Sequence, residues 1–259
     1  METKEQSRLF TAYQKSVVII LVLAAWSVFP HFMKNNMFLP PFLDIMQTLW
    51  EMVRSGEMGK HLLASLRRAG IGLAIAEAAA IPVGIGLGWF ARFENYLDPL
   101  LTALRNLSVL TILPLFVLFL GIGEVSKTAI IVWGCFFPQL VNTISGVKNV
   151  DPVLIQSARS MGMSNFSLFQ KVILPGSMTY TLTGFRLSAS IALLVLVGAE
   201  MLGADFGLGH MIFHYQQAFL IKKMYCGILV MIIVGVVVNT LIARLESRLT
   251  IWQDKGNAH

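Results

Sequence analysis

The sequence predicts an all-α integral membrane protein with six transmembrane helices, and three observations lead there. Of its 259 residues, 56% are hydrophobic and 13% are charged, where soluble domains carry about half and about a quarter. Apolar stretches free of charge recur along the chain, and a hydrocarbon core of roughly 30 Å needs about 20 such residues in a helix. The 20 Lys and Arg and the 14 Asp and Glu fall in ones and twos between those stretches, as membrane-flanking charge does. A soluble enzyme, a disordered tail and a nucleic-acid reader, which needs a clustered basic patch, are excluded.

The first stretch, 16–33, lies between Lys15 and Lys34. Acidic residues accompany its basic flank and no small-x-small cleavage site follows Phe29-Pro30, so it reads as an anchor and not as a signal peptide. The second, 69–91, carries Gly72, Ala76, Ala80, Gly84 and Gly88 at every fourth position. Such a ridge without bulk lets a neighbouring backbone approach closely in lipid, which predicts a helix buried against protein. Residues 106–123, 128–147, about 178–200 and 224–243 supply the remaining four, the fifth interrupted only by Arg186. Pro82, Pro114 and Pro138 inside these stretches predict kinks whose freed carbonyls need neighbours or water.

The organisation that follows is a cytoplasmic segment at 1–15, a membrane domain at 16–246 and a cytoplasmic tail at 247–259. An even number of spans puts both termini on one side. Eleven Lys and Arg on that side against eight on the other favour the cytoplasm. Cys135 and Cys226 each lie within an apolar run without metal spacing, which predicts buried, inert thiols.

The loop at about 148–176 is the longest on the expected cytoplasmic side. Asp151 is a good N-cap, Pro152 suits the first turn and Gly162 suits a left-handed stop, delimiting a helix of about ten residues. Leu154, Ala158 and Met161 recur at i, i+4 and i+7, a face that a marginal helix of this length must lay against something. Ser164 begins a second helix expected to end near Pro175. Poor in Trp, Phe, Lys and Arg, the first helix is a weak candidate for a lipid surface, and a protein partner fits it better.

Gln156-Ser157-Ala158-Arg159-Ser160-Met161-Gly162 followed by Ile173-Leu174-Pro175 resembles the EAA loop of bacterial ABC importer permeases. The resemblance extends to the nitrate/sulfonate/taurine/bicarbonate branch through Leu39-Pro40-Pro41, Ser65-Leu66-Arg67-Arg68, Leu97-Asp98-Pro99, Gly121-Ile122-Gly123-Glu124, Thr183-Gly184-Phe185-Arg186-Leu187, Ala199-Glu200-Met201 and Gly207-Leu208-Gly209. It implies a type I importer permease (MetI-like) fold, with Leu154, Gln156, Ser157, Ala158, Arg159, Ser160, Met161 and Gly162 coupling to an ATPase. It also implies a homodimer, two cytoplasmic ATPase subunits carrying ATP and Mg, and an extracytoplasmic solute-binding protein in the bacterial inner membrane. The chain departs from the branch at Gln156, where Glu is usual, and at Arg105-Asn106-Leu107-Ser108, where Arg followed by Ile-Pro is usual.

The chain holds no catalytic motif of its own. A Gly-x4-Gly-Lys-Ser/Thr phosphate loop and a Gly-x-Ser-x-Gly elbow are both absent from the sequence. His210 and His214 share a helix face without the His-Glu-x-x-His pattern, so neither a metal nor a cofactor is expected on this chain. Ionisable residues inside spans usually face a cavity or a partner, which makes Glu77, Arg105, Arg186 and Glu200, with Asn106 and Ser108, the candidates for a translocation path. The resulting function is a permease moving a small solute driven by a separate ATPase, with net charge +6 favouring an anion such as nitrate, bicarbonate or a sulfonate. The alternatives are an ion-coupled secondary transporter using Glu77 and Glu200 as relays, and an integral-membrane enzyme, against which the lack of a clustered His/Asp/Glu set speaks.

Overall fold

A computed structural model describes residues 38–249 together with Val17, Trp26 and Ser27. The expected segment at 1–15, nearly all of the expected first span and residues 250–259 lie outside the described residues. In chain order the helices are α1 (Phe42–Arg54), α2 (Glu57–Trp89), α3 (Ala91–Arg105), α4 (Val109–Leu120), α5 (Glu124–Lys148), α6 (Pro152–Ser160), α7 (Asn165–Leu168), α8 (Leu174–Met201), α9 (Leu208–Gln217) and α10 (Ile221–Leu249), with no strand among the described residues. Four helical stretches are long and apolar enough to cross a membrane: Glu57–Trp89, Glu124–Lys148, Asn165–Met201 and Ile221–Arg248. They carry the second, fourth, fifth and sixth expected spans. Cys135 and Cys226 are buried free thiols.

α5 is the most buried of these four and packs against α2 on one side and α8 on the other. The α2 ridge is buried against protein as its spacing predicts, and the helix it faces is α5. Ala76 and Ala80 are fully buried, and a Cβ built on Gly72, Gly84 or Gly88 would stand 2.6 Å from Ile131 Cγ2, 2.7 Å from Thr143 Cβ or 2.7 Å from Val147 Cβ. Close approach recurs on the other side, where a Cβ on Gly146 would lie 2.9 Å from the Ser177 carbonyl oxygen. Lipid tails are as apolar as the side chains, so helix association here depends on such backbone proximity and dense packing.

Three features differ from the sequence expectation. The third apolar stretch is not one helix, because Asn106, Leu107 and Ser108 form a corner between α3 and α4, which meet at 92°. α4, with 12 residues, spans about 18 Å and is too short to cross alone, so α3 and α4 make one broken or re-entrant unit. The second loop helix does not end at Pro175. Proline there cannot donate to the carbonyl of Lys171 and would clash with it, and a π turn at Phe169–Ile173 widens the helix so that the chain continues unbroken to Met201. α2 begins at Glu57, well before the apolar stretch at 69–91, so Lys60, Arg67 and Arg68, which bound that stretch in sequence, are carried on the same helix. α2 and α5 also run on through Pro82 and Pro138.

The seam between α2 and α5 is directly testable. Gly84→Ala should lower the thermal midpoint of the detergent-solubilised protein, by about 1–3 kcal/mol of overpacking, because its Cβ would also lie 3.1 Å from the Leu140 carbonyl oxygen. Gly86→Ala, with nothing within 4 Å of its Cβ, should leave the midpoint unchanged or raise it. Equal midpoints for the two variants, followed by circular dichroism, would contradict the packing described.

Candidate functional site

The bundle has two chemically distinct ends. At one, Arg68 of α2 is buried and joins three elements. Its Nε donates to Glu124 Oε2 at 2.6 Å and its Nη2 to Glu124 Oε1 at 2.7 Å, a bidentate pair of the strong, charge-assisted kind. Its Nη1 donates to Glu200 Oε1 at 2.7 Å and to the Phe206 carbonyl oxygen at 2.6 Å. Glu124 lies in the first turn of α5, where the helix dipole favours a carboxylate, with Lys127 Nζ 3.6 Å away.

Glu200 is fully enclosed near the end of α8. It accepts from Ser65 Oγ at 2.8 Å and from the Gly209 N–H at 2.9 Å, while the Leu208 N–H donates to Ser65 Oγ at 2.7 Å. The carboxylate and the hydroxyl thus satisfy the first amides of α9, which have no partner inside their own helix. Glycine is required at 207, where φ is +139° and a Cβ would sit 2.4 Å from the Glu200 carboxylate carbon. A Cβ on Gly209 would stand 2.6 Å from the Val197 carbonyl oxygen. Alongside, His210 stacks on His214 with centroids 5.6 Å apart, and burial, reinforced by His214 and His61, holds its imidazole below the usual range. The Tyr215 hydroxyl of the same helix donates to Glu57; burial, then that bond, pushes the phenol up.

At the other end stands α6. Asp151 caps it by accepting the Val153 N–H at 2.8 Å. It closes with the Gly162 N–H bonded to the Arg159 carbonyl and the Met163 N–H to the Ala158 carbonyl, with Gly162 at φ +76°. This is the Schellman stop that glycine permits. Ser164 then caps α7 through the Ser167 N–H. Val147, Val150 and Ile173, packed with Trp89, Ile155 and Phe169, hold α6 to the ends of α2, α5 and α8. Leu154, Gln156, Ser157, Arg159, Ser160, Met161 and Gly162 are exposed. Ala158, expected on the outward stripe with Leu154 and Met161, is buried and turned toward its own chain, the side that the Schellman closure folds over.

The six candidate path residues do not converge. Glu77 is buried on α2, and neither of its carboxylate oxygens has a hydrogen-bond partner among the described residues. Arg105, Asn106 and Ser108 are exposed at the α3–α4 corner. Arg186 is tied to α10, with Nε 3.1 Å from Asn239 Oδ1 and Nη1 3.5 Å from Glu246 Oε2. Glu200, matched by Arg68, needs no water-filled path to compensate its charge. Beside α5 lies an apolar groove of about 810 Å³, walled by Ile75, Leu101, Phe116, Trp133 and Phe137. Among the described residues no group of His, Cys, Asp and Glu is arranged to hold a metal.

Residues 80–251 match the family described as binding-protein-dependent transport system inner membrane component. The chain belongs to this family. It is similar to an aliphatic sulfonates transport permease protein of Bacillus subtilis (strain 168), 36% identical over 235 residues that cover 90% of this chain and 85% of that one. It is also similar to the taurine transport system permease protein of Escherichia coli (strain K12), 33% identical over 240 residues covering 90% and 86%. The inward-facing MetNI methionine ABC transporter shares the fold, with a TM-score of 0.66 at 16% identity over 78% of this chain and 97% of that one. The protein is accordingly a multi-pass ABC permease that moves a small solute, a non-enzymatic transport subunit. The ion-coupled alternative loses Glu200 as a relay, since that carboxylate is held by three donors, Arg68, Ser65 and the Gly209 N–H.

Sequence reading had missed Arg68, Ser65 and Glu124 as site residues, treating the arginine as flanking charge. The permease should depend on them for folding. Glu200→Gln leaves a buried guanidinium short of a partner, a loss of about 3–5 kcal/mol, and should sharply reduce the yield of monodisperse protein. Asp44→Asn removes the exposed pair with Lys222 Nζ at 2.8 Å and should cost about 1 kcal/mol or less. Comparable yields for the two variants in size-exclusion chromatography would show that the buried cluster does not hold the bundle.

Proposed function

We propose that the permease works as a homodimer in the bacterial inner membrane, with two cytoplasmic ATPase subunits seated on α6 and an extracytoplasmic solute-binding protein at the α9 end. ATP and Mg belong to the ATPase, since this chain has no phosphate-cradling loop. Both termini lie in the cytoplasm. The transported solute is a small anion, with organosulfonates the leading class, supported by the names of the relatives and by the net charge of +6.

The observation that carries this reading is the placement of α6. It stands at the end of the bundle opposite Arg68 and exposes Val153 and Leu154 on a nine-residue helix and Met161 at its C-cap, three apolar side chains with polar neighbours. Closure of the ATPase pair pushes on that surface, and the apolar cluster behind α6 passes the displacement to α2, α5 and α8. The bundle then alternates between inward and outward access by rigid-body motion.

Leu154→Asp and Met161→Asp place charges on this exposed face without entering the fold. Each should reduce ATPase co-purifying with the permease by about tenfold or more, the scale of losing one interface anchor. Solute-stimulated hydrolysis in liposomes should fall with it. Gln156→Glu should be tolerated. Full ATPase retention in both aspartate variants would overturn α6 as the coupling element.

A further inference from the structure

The geometry points to a solute subsite on the permease itself, a basic cavity at the α9 end that takes a small organic anion with a short hydrocarbon tail. The inference rests on the reading of the solute as an anion and adds where on this chain it is held. The cavity has a volume of about 480 Å³ and is lined by Lys60, Leu63, Arg67, Ile71, Thr128 and Phe206, with Ala64 between them and Arg68 and Glu124 in its wall. Lys60 and Arg67 are two turns apart on α2 and therefore share a face. Both are exposed, and neither has an ion-pair or hydrogen-bond partner among the described residues.

The charges in the wall cancel. Arg68 and Lys127 are matched by Glu124 and Glu200 through contacts of 2.6 to 3.6 Å, which leaves Lys60 and Arg67 as uncompensated positive charge over the opening. Arg67 offers a planar fork suited to the oxygens of a sulfonate or carboxylate, and Lys60 a compact second charge. Leu63, Ile71 and Phe206 give the cavity apolar walls that suit a hydrocarbon tail. Glu124 and Thr128 also border the 810 Å³ groove beside α5, so the cavity adjoins an apolar groove of the bundle. A flat basic patch would suit an acidic protein surface better. A concave one with apolar walls, next to a groove among the spans, suits a small amphiphilic anion.

The test uses the permease in its assembled complex with Cys135→Ser and Cys226→Ser, and with Ala64→Cys as the reporter in the cavity. The probes are 2-sulfonatoethyl methanethiosulfonate, itself a short alkanesulfonate, and its trimethylammonium counterpart, each rate normalised to a free thiol. The sulfonate reagent should react about tenfold faster or more, the range by which charge-lined clefts concentrate counter-ions, and ethanesulfonate should slow it. Lys60→Gln with Arg67→Gln should abolish the preference, and Arg67→Lys should retain part of it. Absence of any preference, or a preference that survives loss of both cations, overturns the subsite. Hydrolysis stimulated by loaded binding protein is measured on the same samples. If the double variant loses stimulation but keeps the sulfonate preference, the cations dock the binding protein and the subsite is overturned. If the parent complex shows no stimulation, the importer reading fails on its own account, while the thiol rates still decide the subsite.

Discussion

A guanidinium in the interior of a membrane bundle is tolerable only if its charge and its donors are met, and Arg68 is the group around which this permease is arranged. Glu124 fixes where α5 begins, Glu200 fixes where α8 ends, and the Phe206 carbonyl fixes the turn between α8 and α9. A buried carboxylate or guanidinium left alone costs several kcal/mol, so these positions are interdependent. Ser65 and the Gly209 amide complete the set by donating to the oxygens of Glu200, and the Leu208 amide donates in turn to Ser65 Oγ. The network takes its specificity from geometry, since only glycine fits at 207 against the carboxylate.

The cluster and the small-residue ridge do complementary work. The ridge from Gly72 to Gly88 brings α2 and α5 into backbone proximity along the span, where packing has no hydrophobic drive behind it. Arg68 lies one step before Gly72 in the same every-fourth series and fixes the register of that seam at its end. At the opposite end, among the described residues, the pair of Lys148 with Glu94 stands without a comparable buried ionic cluster. There α6 rests on an apolar contact set of Val147, Val150, Ile173 and Trp89, which can transmit displacement and repack. A bundle pinned at one end and softly packed at the other is suited to turning movement at α6 into tilting of the spans.

Much of the architecture was legible in the sequence because it follows from period and caps. The ridge announced that α2 is buried against protein, though not that its partner is α5, and Asp151, Pro152, Gly162 and Ser164 announced α6 and the start of α7. The corner at Asn106-Leu107-Ser108 was not legible, because counting apolar residues does not register where a backbone turns. The continuation through Pro175 was hidden for a related reason: a proline signals a lost hydrogen bond, and only the local backbone decides whether a π turn absorbs it. Of α9 only the helix face shared by His210 and His214 was seen, because its start depends on Glu200 and Ser65, distant in sequence. Arg68 was read as a boundary charge. Extending the four-residue series back from Gly72 to residue 68 would have marked it as inward-facing.

With coupling through α6 as proposed, Arg68 welds the adjoining ends of α2, α5 and α8 into a unit that moves as one body while the α6 end responds to the ATPase. The most direct measurement is the electron–electron distance between spin labels at Gly59→Cys on α2 and Asp205→Cys beyond α8, in labelled permease diluted into unlabelled protein. It is taken without nucleotide and with ATP trapped in the complex. The distance should stay unchanged to within about 1–2 Å, the scale of adjustment at a packed interface. A nucleotide-dependent change approaching a helical turn, about 5.4 Å, would contradict it.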